Sequence, residues 1–134
     1  MNKQQSGFTL IELIAVIVIL GVLAATALPR FVDLSDSAEI AARNGIAGNL
    51  ASASALNRAA DIAQDAGIAG VAPIVVTNCT AVAGTLDGIA DYAAFTAAYP
   101  DYTIGALPIA DEASETCVLT AYGADSNFVG HGTD

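Results

Sequence analysis

The 134-residue sequence predicts an α+β fold: one long N-terminal α-helix packed on a small antiparallel β-sheet head. Three observations predict it. The residues from Phe8 to Leu28 are almost wholly apolar. An apolar pattern with a spacing near 3.6 continues beyond Pro29 towards Gln64, which is the period of a helix with one buried face. After the helix breakers Gly67, Gly70 and Pro73 come short runs rich in β-branched residues, with two cysteines, Cys79 and Cys117, among them.

The first half of the helix is long enough to cross a bilayer. Phe8–Leu28 is 21 residues, and at about 1.5 Å per residue it spans about 31 Å, close to a hydrocarbon core. A cleaved secretory signal is the alternative, with Ala24-Ala25-Thr26-Ala27 as a weak cleavage site. Lys3 is the one base ahead of the apolar run, and it favours an N-terminus inside and a C-terminus outside. Glu12 is the anomaly. A carboxylate in the bilayer costs a few kcal/mol, so it either lies near enough to the interface to stay solvated or has a partner for its charge. Gly21 and Pro29 mark a kink, because proline removes a helical hydrogen bond and clashes with the preceding turn.

Beyond Pro29 the helix becomes amphipathic. Ile46, Leu50, Ala53 and Ala60 recur on one face, with Asn49, Asn57, Arg58 and Asp61 elsewhere. Asp65-Ala66-Gly67 supplies the stop. The spacing predicts one helix from about Phe8 to about Gln64.

In the head, "APIVVTNCTAV", "TIGAL" and "CVLTAY" read as antiparallel strands, and "DGIADYAAFTAAYPD" as a short helix ending before Pro100. Tyr92, Phe95, Tyr99 and Tyr102 share a face and form an aromatic core patch, or failing that a binding face. The tail "GADSNFVGHGTD" reads as a loop or loose end. Cys79 and Cys117, with 37 residues between them, suit a single disulfide in an oxidising compartment, and two buried free thiols are the alternative.

Charge and residue content exclude several classes. The net charge is −10, from 14 acids and four bases, and no base follows Arg58. An acidic body repels phosphate backbones, so no direct nucleic-acid binding is expected. His131 is the one histidine, in a Gly-His-Gly tail where solvation is expected, and no catalytic constellation accompanies it. One His and two Cys do not make a metal site, and the adjacent oxygens of Asp125, Ser126 and Asn127 are not a calcium loop. No enzyme activity, metal or cofactor is expected.

One motif is highly specific. "GFTLIEL", Gly7–Leu13, followed by a long apolar helix, resembles the N-terminal signature of type IV prepilins and related pseudopilins. "PRFVDLSDSAEIAARNGI" with one late cysteine pair is most similar, within that family, to the mannose-sensitive haemagglutinin type of pilin. The resemblance implies a leader at residues 1–7, cut between Gly7 and Phe8 by prepilin peptidase, with Phe8 then N-methylated. Glu12 would neutralise the Phe8 amine of an adjacent subunit during assembly. Gly21 and Pro29 match positions between which the helix loosens in assembled relatives. Residues 8–29 would form the transmembrane and filament-core helix and residues 30–134 the head, with the helix continuing over 30–64 and the sheet and disulfide-bounded region over 68–134. The partners implied are further copies of the chain in a helical filament, prepilin peptidase, and the inner-membrane assembly platform with its ATPase. The precursor would cross the bacterial inner membrane once, N-terminus in the cytoplasm, before joining an extracellular pilus for adhesion, motility or attachment. A type II secretion pseudopilin, forming a short periplasmic piston, shares the N-terminal motif and is the alternative, although its main subunit typically lacks a disulfide. A membrane-anchored enzyme or binding module is the third reading.

Overall fold

The computed structural model describes residues 8–134, without the side chains of residues 28–33. The leader 1–7, with Gly7, and the side chain of Pro29 therefore lie outside the described residues. The chain divides into two units, Met1–Ala38 and Glu39–Asp134.

The first helix, α1, runs from Leu10 to Asp65 and belongs to both units. In the first unit its Leu10–Ala27 stretch is apolar and long enough to cross a membrane, and none of it is buried within the chain. Thr26 does not interrupt this apolar surface, because its hydroxyl donates back to the carbonyls of Leu23 (3.0 Å) and Val22 (3.3 Å). Such back-bonding satisfies a hydroxyl that lipid could not solvate. The helix continues through Pro29, whose ring nitrogen has no proton to donate.

In the second unit α1 ends on the expected signal. Gly67 takes φ 80°, and its N–H donates to the carbonyl of Gln64 (2.8 Å) while Ile68 N–H donates to that of Ala63 (3.0 Å). This pair of bonds satisfies end carbonyls that have no helical partner. The buried face differs from the expected one. Arg43, Ala47, Leu50, Ser54, Asn57 and Asp61 point into the head, whereas Ile46, Ala53 and Ala60 are half-buried. The period was right and the phase was shifted, because four of these six positions are polar and apolar spacing alone cannot find them.

Each polar residue has a partner there. Asn57 clamps the residue after Pro73: Ile74 N–H donates to Asn57 Oδ1 (2.7 Å), and Asn57 Nδ2 donates to Ile74 O (2.8 Å) and Thr133 Oγ1 (3.1 Å). Ser54 Oγ accepts from His131 N–H at 2.8 Å. Arg43 reaches the carbonyl of Ala121 and the hydroxyl of Ser126, and Asp61 pairs with Arg58. Satisfied buried polar groups fix one docking register for the helix, because any slip would leave them unpaired.

The sheet has three antiparallel strands in the order β1-β2-β3: β1 is Tyr102–Ile104, β2 Ser114–Ala121 and β3 Ala124–His131. β1 and β2 overlap the expected strands, each beginning earlier in the chain than expected. β3 corrects the expectation of a loose tail. It pairs with β2 along its whole length, from Ala121↔Ala124 to Ser114↔His131, and it buries Phe128 and Gly130. Its inward positions include glycine, which blurs the alternating pattern that marks a strand. The reverse correction applies to residues 72–82. They form no strand, only isolated bridges at Val76↔Thr133 and Asn78↔Pro108, followed by a 3-10 helix, Ala81–Thr85. Asn78 is the cause: its Oδ1 accepts from Ala81 N–H (2.9 Å) and Thr80 Oγ1 (2.6 Å), a local turn that competes with extended pairing.

The second helix, α2, is Tyr92–Ala98, with Asp91 accepting the Ala94 N–H at 2.8 Å as its N-cap. The core comprises Leu50 of α1, Val76, Val82, Phe95, and Ile104, Leu119 and Phe128 of the sheet, all buried. At its centre Cys79 and Cys117 form a disulfide, both fully buried.

Candidate functional site

The N-terminal end of α1 is built from Phe8, Thr9 and Glu12. Thr9 N–H and Oγ1 donate to Glu12 Oε2 at 2.8 and 2.7 Å, and Glu12 N–H donates back to Thr9 Oγ1 at 3.3 Å. This reciprocal arrangement is a capping box, and it satisfies two N–H groups that have no helical acceptor. Threonine three residues before glutamate is its signature, so "TLIE" announced it in the sequence. The expectation for Glu12 concerned its charge alone and missed the cap. Phe8 precedes the cap and is 80% exposed. Leu10, Ile11, Leu13 and Ile14 are exposed as well, so the carboxylate stands at the head of a continuous apolar surface. Gly21, further along, has open space where a side chain would be.

The other residues singled out by sequence lie in the head. The disulfide ties the loop before the 3-10 helix to β2, at a sequence separation of 38. Tyr92, Phe95, Tyr99 and Tyr102 do form a connected row, with ring centroids 6.2, 5.1 and 6.0 Å apart in turn. Tyr122 extends it, meeting Tyr102 edge-on at 5.7 Å. Burial is the main cause that pushes the Tyr102 phenol above its ordinary range; its hydrogen bond and charge interaction with Tyr122, and the charge of Asp101, act in the same direction, and Arg43 opposes them. His131 is half-buried rather than solvated. It ends β3, where its Nδ1 lies 2.9 Å from Ser114 Oγ.

The acidic residues include one close group. Oxygens of Asp61, Asp111 and Asp134 lie within 4.8 Å of one another. Arg58 pairs with Asp61 inside this group and reaches Glu112 at 3.6 Å, so the protein already supplies a cation there. Asp125 and Ser126 are engaged inside the head, Asp125 accepting from Thr120 Oγ1 (2.6 Å) and Ser126 donating to Asn44 (2.6 Å). Among the described residues, no nucleophile, base and oxyanion site gather around one reacting atom.

Comparison with known proteins bears on the N-terminal site. Residues 2–28 match the family described as the prokaryotic N-terminal methylation motif. The chain is 56% identical over 50 residues to the type IV narrow pilus major component of Thermus thermophilus, covering 37% of this chain and 43% of that one. It is 55% identical over 40 residues to a type IV major pilin protein of Neisseria gonorrhoeae, 30% of this chain and 24% of that one. It is also 48% identical over 44 residues to the type II secretion system core protein G of Pseudomonas aeruginosa, 33% of this chain and 31% of that one. The chain thus spans less than half the length of these curated relatives. No solved structure matches it. Among these relatives the narrower resemblance to the mannose-sensitive haemagglutinin type finds no support. Over its N-terminal third the chain is similar both to type IV pilins and to a type II secretion core protein, and residues 2–28 match the prokaryotic N-terminal methylation motif.

Proposed function

We propose that this chain is the structural subunit of a type IV pilus, polymerising through its apolar N-terminal helix into a surface filament. The observation that carries this reading is the apolar stretch Leu10–Ala27, none of it buried within the chain, headed by a carboxylate that caps the helix, Glu12. A helix that buries none of this surface within its own chain must bury it elsewhere, first in lipid and then against other copies.

In this reading prepilin peptidase cuts between Gly7 and Phe8 and methylates the new Phe8 amine. The cut leaves an ammonium one residue ahead of the cap, at the positive end of the helix dipole, where a cation is unfavourable. A carboxylate compensates it. The Thr9 bonds go to Oε2 of Glu12, and the amine of an adjacent subunit would meet the same carboxylate. In a water-poor core such a pair fixes axial register, because the charges meet at one offset only. Gly21 and Pro29 would let the helix loosen between them on assembly. The precursor would sit in the inner membrane with its N-terminus in the cytoplasm and its head outside, where the disulfide can form. An assembly platform and its ATPase would draw subunits from the membrane. The role is structural, without catalysis.

A pseudopilin in a type II secretion system is the second reading, favoured by the likeness to a type II secretion core protein. The intact mass of material sheared from expressing cells separates the two. The expected species starts at N-methylated Phe8 and is two hydrogens lighter for the disulfide. The same processed species confined to the membrane fraction, with nothing in the shear, would overturn the pilus reading in favour of the pseudopilin.

A further inference from the structure

The three-stranded sheet has two outer edges, β1 and β3, and the chain treats them differently. On β1 the outward groups of Ile104 both meet the Tyr92 hydroxyl: Ile104 N–H donates to it (3.1 Å), and it donates to the Ile104 carbonyl (3.5 Å). A side chain of α2 thus covers that edge. On β3 the outward groups follow from the ladder. Gly105 N–H donates to the Val118 carbonyl (3.0 Å), so the main chain of Val118 faces β1 and that of its neighbours Cys117 and Leu119 faces β3. Their partners on β3, Phe128 and Ser126, face β2 in turn, which leaves Asn127, Val129 and His131 facing outward. His131 bears this alternation out, since its N–H leaves the sheet for Ser54 Oγ (2.8 Å).

Asn127 and Val129 have no such cover. Among the described residues nothing bonds to their outward N–H and C=O groups, and both residues are exposed. An open edge normally carries lysine, proline or a bulge that keeps other strands away. β3 has none of these. Its ladder with β2 runs unbroken from Ala124 to His131, and its one acid, Asp125, is turned onto Thr120 Oγ1 (2.6 Å). Beside the edge lies an open groove of about 380 Å³, lined by Asn44, Ala47, Gly48 and Ala51 of α1 and by Ser126 and Asn127 of β3. A Cβ on Gly48 would meet nothing within 4 Å, so the small residues of α1 leave this space unfilled.

The unpaired groups specify the occupant. Main-chain donors and acceptors that recur at every second residue of a strand are matched by another extended main chain. A second β3 does not fit, because antiparallel pairing keeps both sheets facing the same way and would bring that copy's α1 against this one. An acidic strand is disfavoured, since the chain carries a net charge of −10 and Asp125 lies on the same edge. We propose that the outer edge of β3 is a strand-addition site, which takes an extended, non-acidic segment of another polypeptide and pairs it with Asn127 and Val129. The site does not depend on the filament reading, because all of it lies within the head of one chain.

Nuclear magnetic resonance titration of the full chain in neutral detergent tests this with a short peptide of alternating threonine and valine, capped by lysine at each end. The control is the same peptide N-methylated at every threonine and valine, which keeps charge and side chains but loses the N–H donors. The unmodified peptide should bind and slow hydrogen exchange at the Asn127 and Val129 amides, with little change at Phe128, which is already in the ladder. The methylated peptide should do neither. Asn127→Pro removes an edge donor at a position outside the ladder, where proline is tolerated. It should weaken binding about fivefold or more, as the loss of a main-chain hydrogen bond requires. Gly48→Leu, which fills the groove, should weaken binding too, whereas Ala93→Leu, at an exposed position of α2, should not. No binding by the unmodified peptide, equal binding by the methylated one, or wild-type affinity in Asn127→Pro would each overturn the proposal. So would protection of Asn127 and Val129 that grows with the concentration of the chain alone, which would make the occupant a second copy. If Asn127→Pro fails to fold, Gly48→Leu against Ala93→Leu decides.

Discussion

Glu12 combines two properties that alanine removes together and glutamine separates. As the third residue of α1 it closes a capping box with Thr9, and as a carboxylate it carries charge into an apolar segment. Glutamine can close the same box but carries no charge. Glu12→Ala should therefore abolish filament assembly with membrane insertion intact, and Glu12→Gln should fail equally. Electron microscopy of sheared material, with a blot of the membrane fraction, reads both; normal filaments from Glu12→Gln would reduce the residue to a helix cap. Tyr102 gives a second prediction at this scale. Its phenol is raised in the folded chain, chiefly by burial, so folding favours the neutral form. The stability is complete below the ordinary tyrosine range of about pH 10 and is lost as pH rises through the higher folded value. Thermal midpoints measured from pH 8 to 11 should fall at the alkaline end, and Tyr102→Phe should fall less. Much of this scale was legible in advance. An acid in an apolar run stands out, and two cysteines leave one possible pair. The Thr9 cap is equally legible, because threonine three residues before glutamate marks it.

At the scale of elements, what the sequence hid has a common cause. The face that α1 turns to the head is mixed, and β3 places glycine where a strand would normally place an apolar side chain. Gly130 explains the second case. A Cβ there would stand 2.8 Å from Ile109 Cδ1, 3.0 Å from Cys117 Sγ and 3.1 Å from Val82 Cγ2. The strand gives up a side chain so that the disulfide can lie against it. Gly130→Ala should cost about 1–3 kcal/mol as overpacking, read as a lower thermal midpoint in detergent. Gly105→Ala is the control, since its nearest neighbour, the Val118 carbonyl, would lie at an ordinary 3.9 Å; equal losses in both would remove the disulfide contact as the reason. Helix α2 and the end of α1 were readable because their stop signals are local, namely Pro100 and Gly67. Residues 72–82 misled for the opposite reason, because β-branched content outweighed the turn set by Asn78.

For the whole molecule, the expected architecture held: a long helix, a small antiparallel sheet and one disulfide. Closing a loop of this separation is worth roughly 4 kcal/mol in the chain-entropy account. Cys117→Ser should leave processing and insertion intact while lowering the head's thermal midpoint; an unchanged melt would mean that packing around Phe95 and Leu119 suffices alone. The placement of residues 131–133 has a consequence for biogenesis. Thr133 closes against Asn57 and Ile74, its backbone pairs with Val76, and His131 meets Ser54. Chains emerge amino end first, so Ser54, Asn57 and Val76 are made before β3 and Thr133 and wait for them. The seam between α1 and the end of β3 is therefore the place where the head closes late, with its polar side chains unpaired until it does.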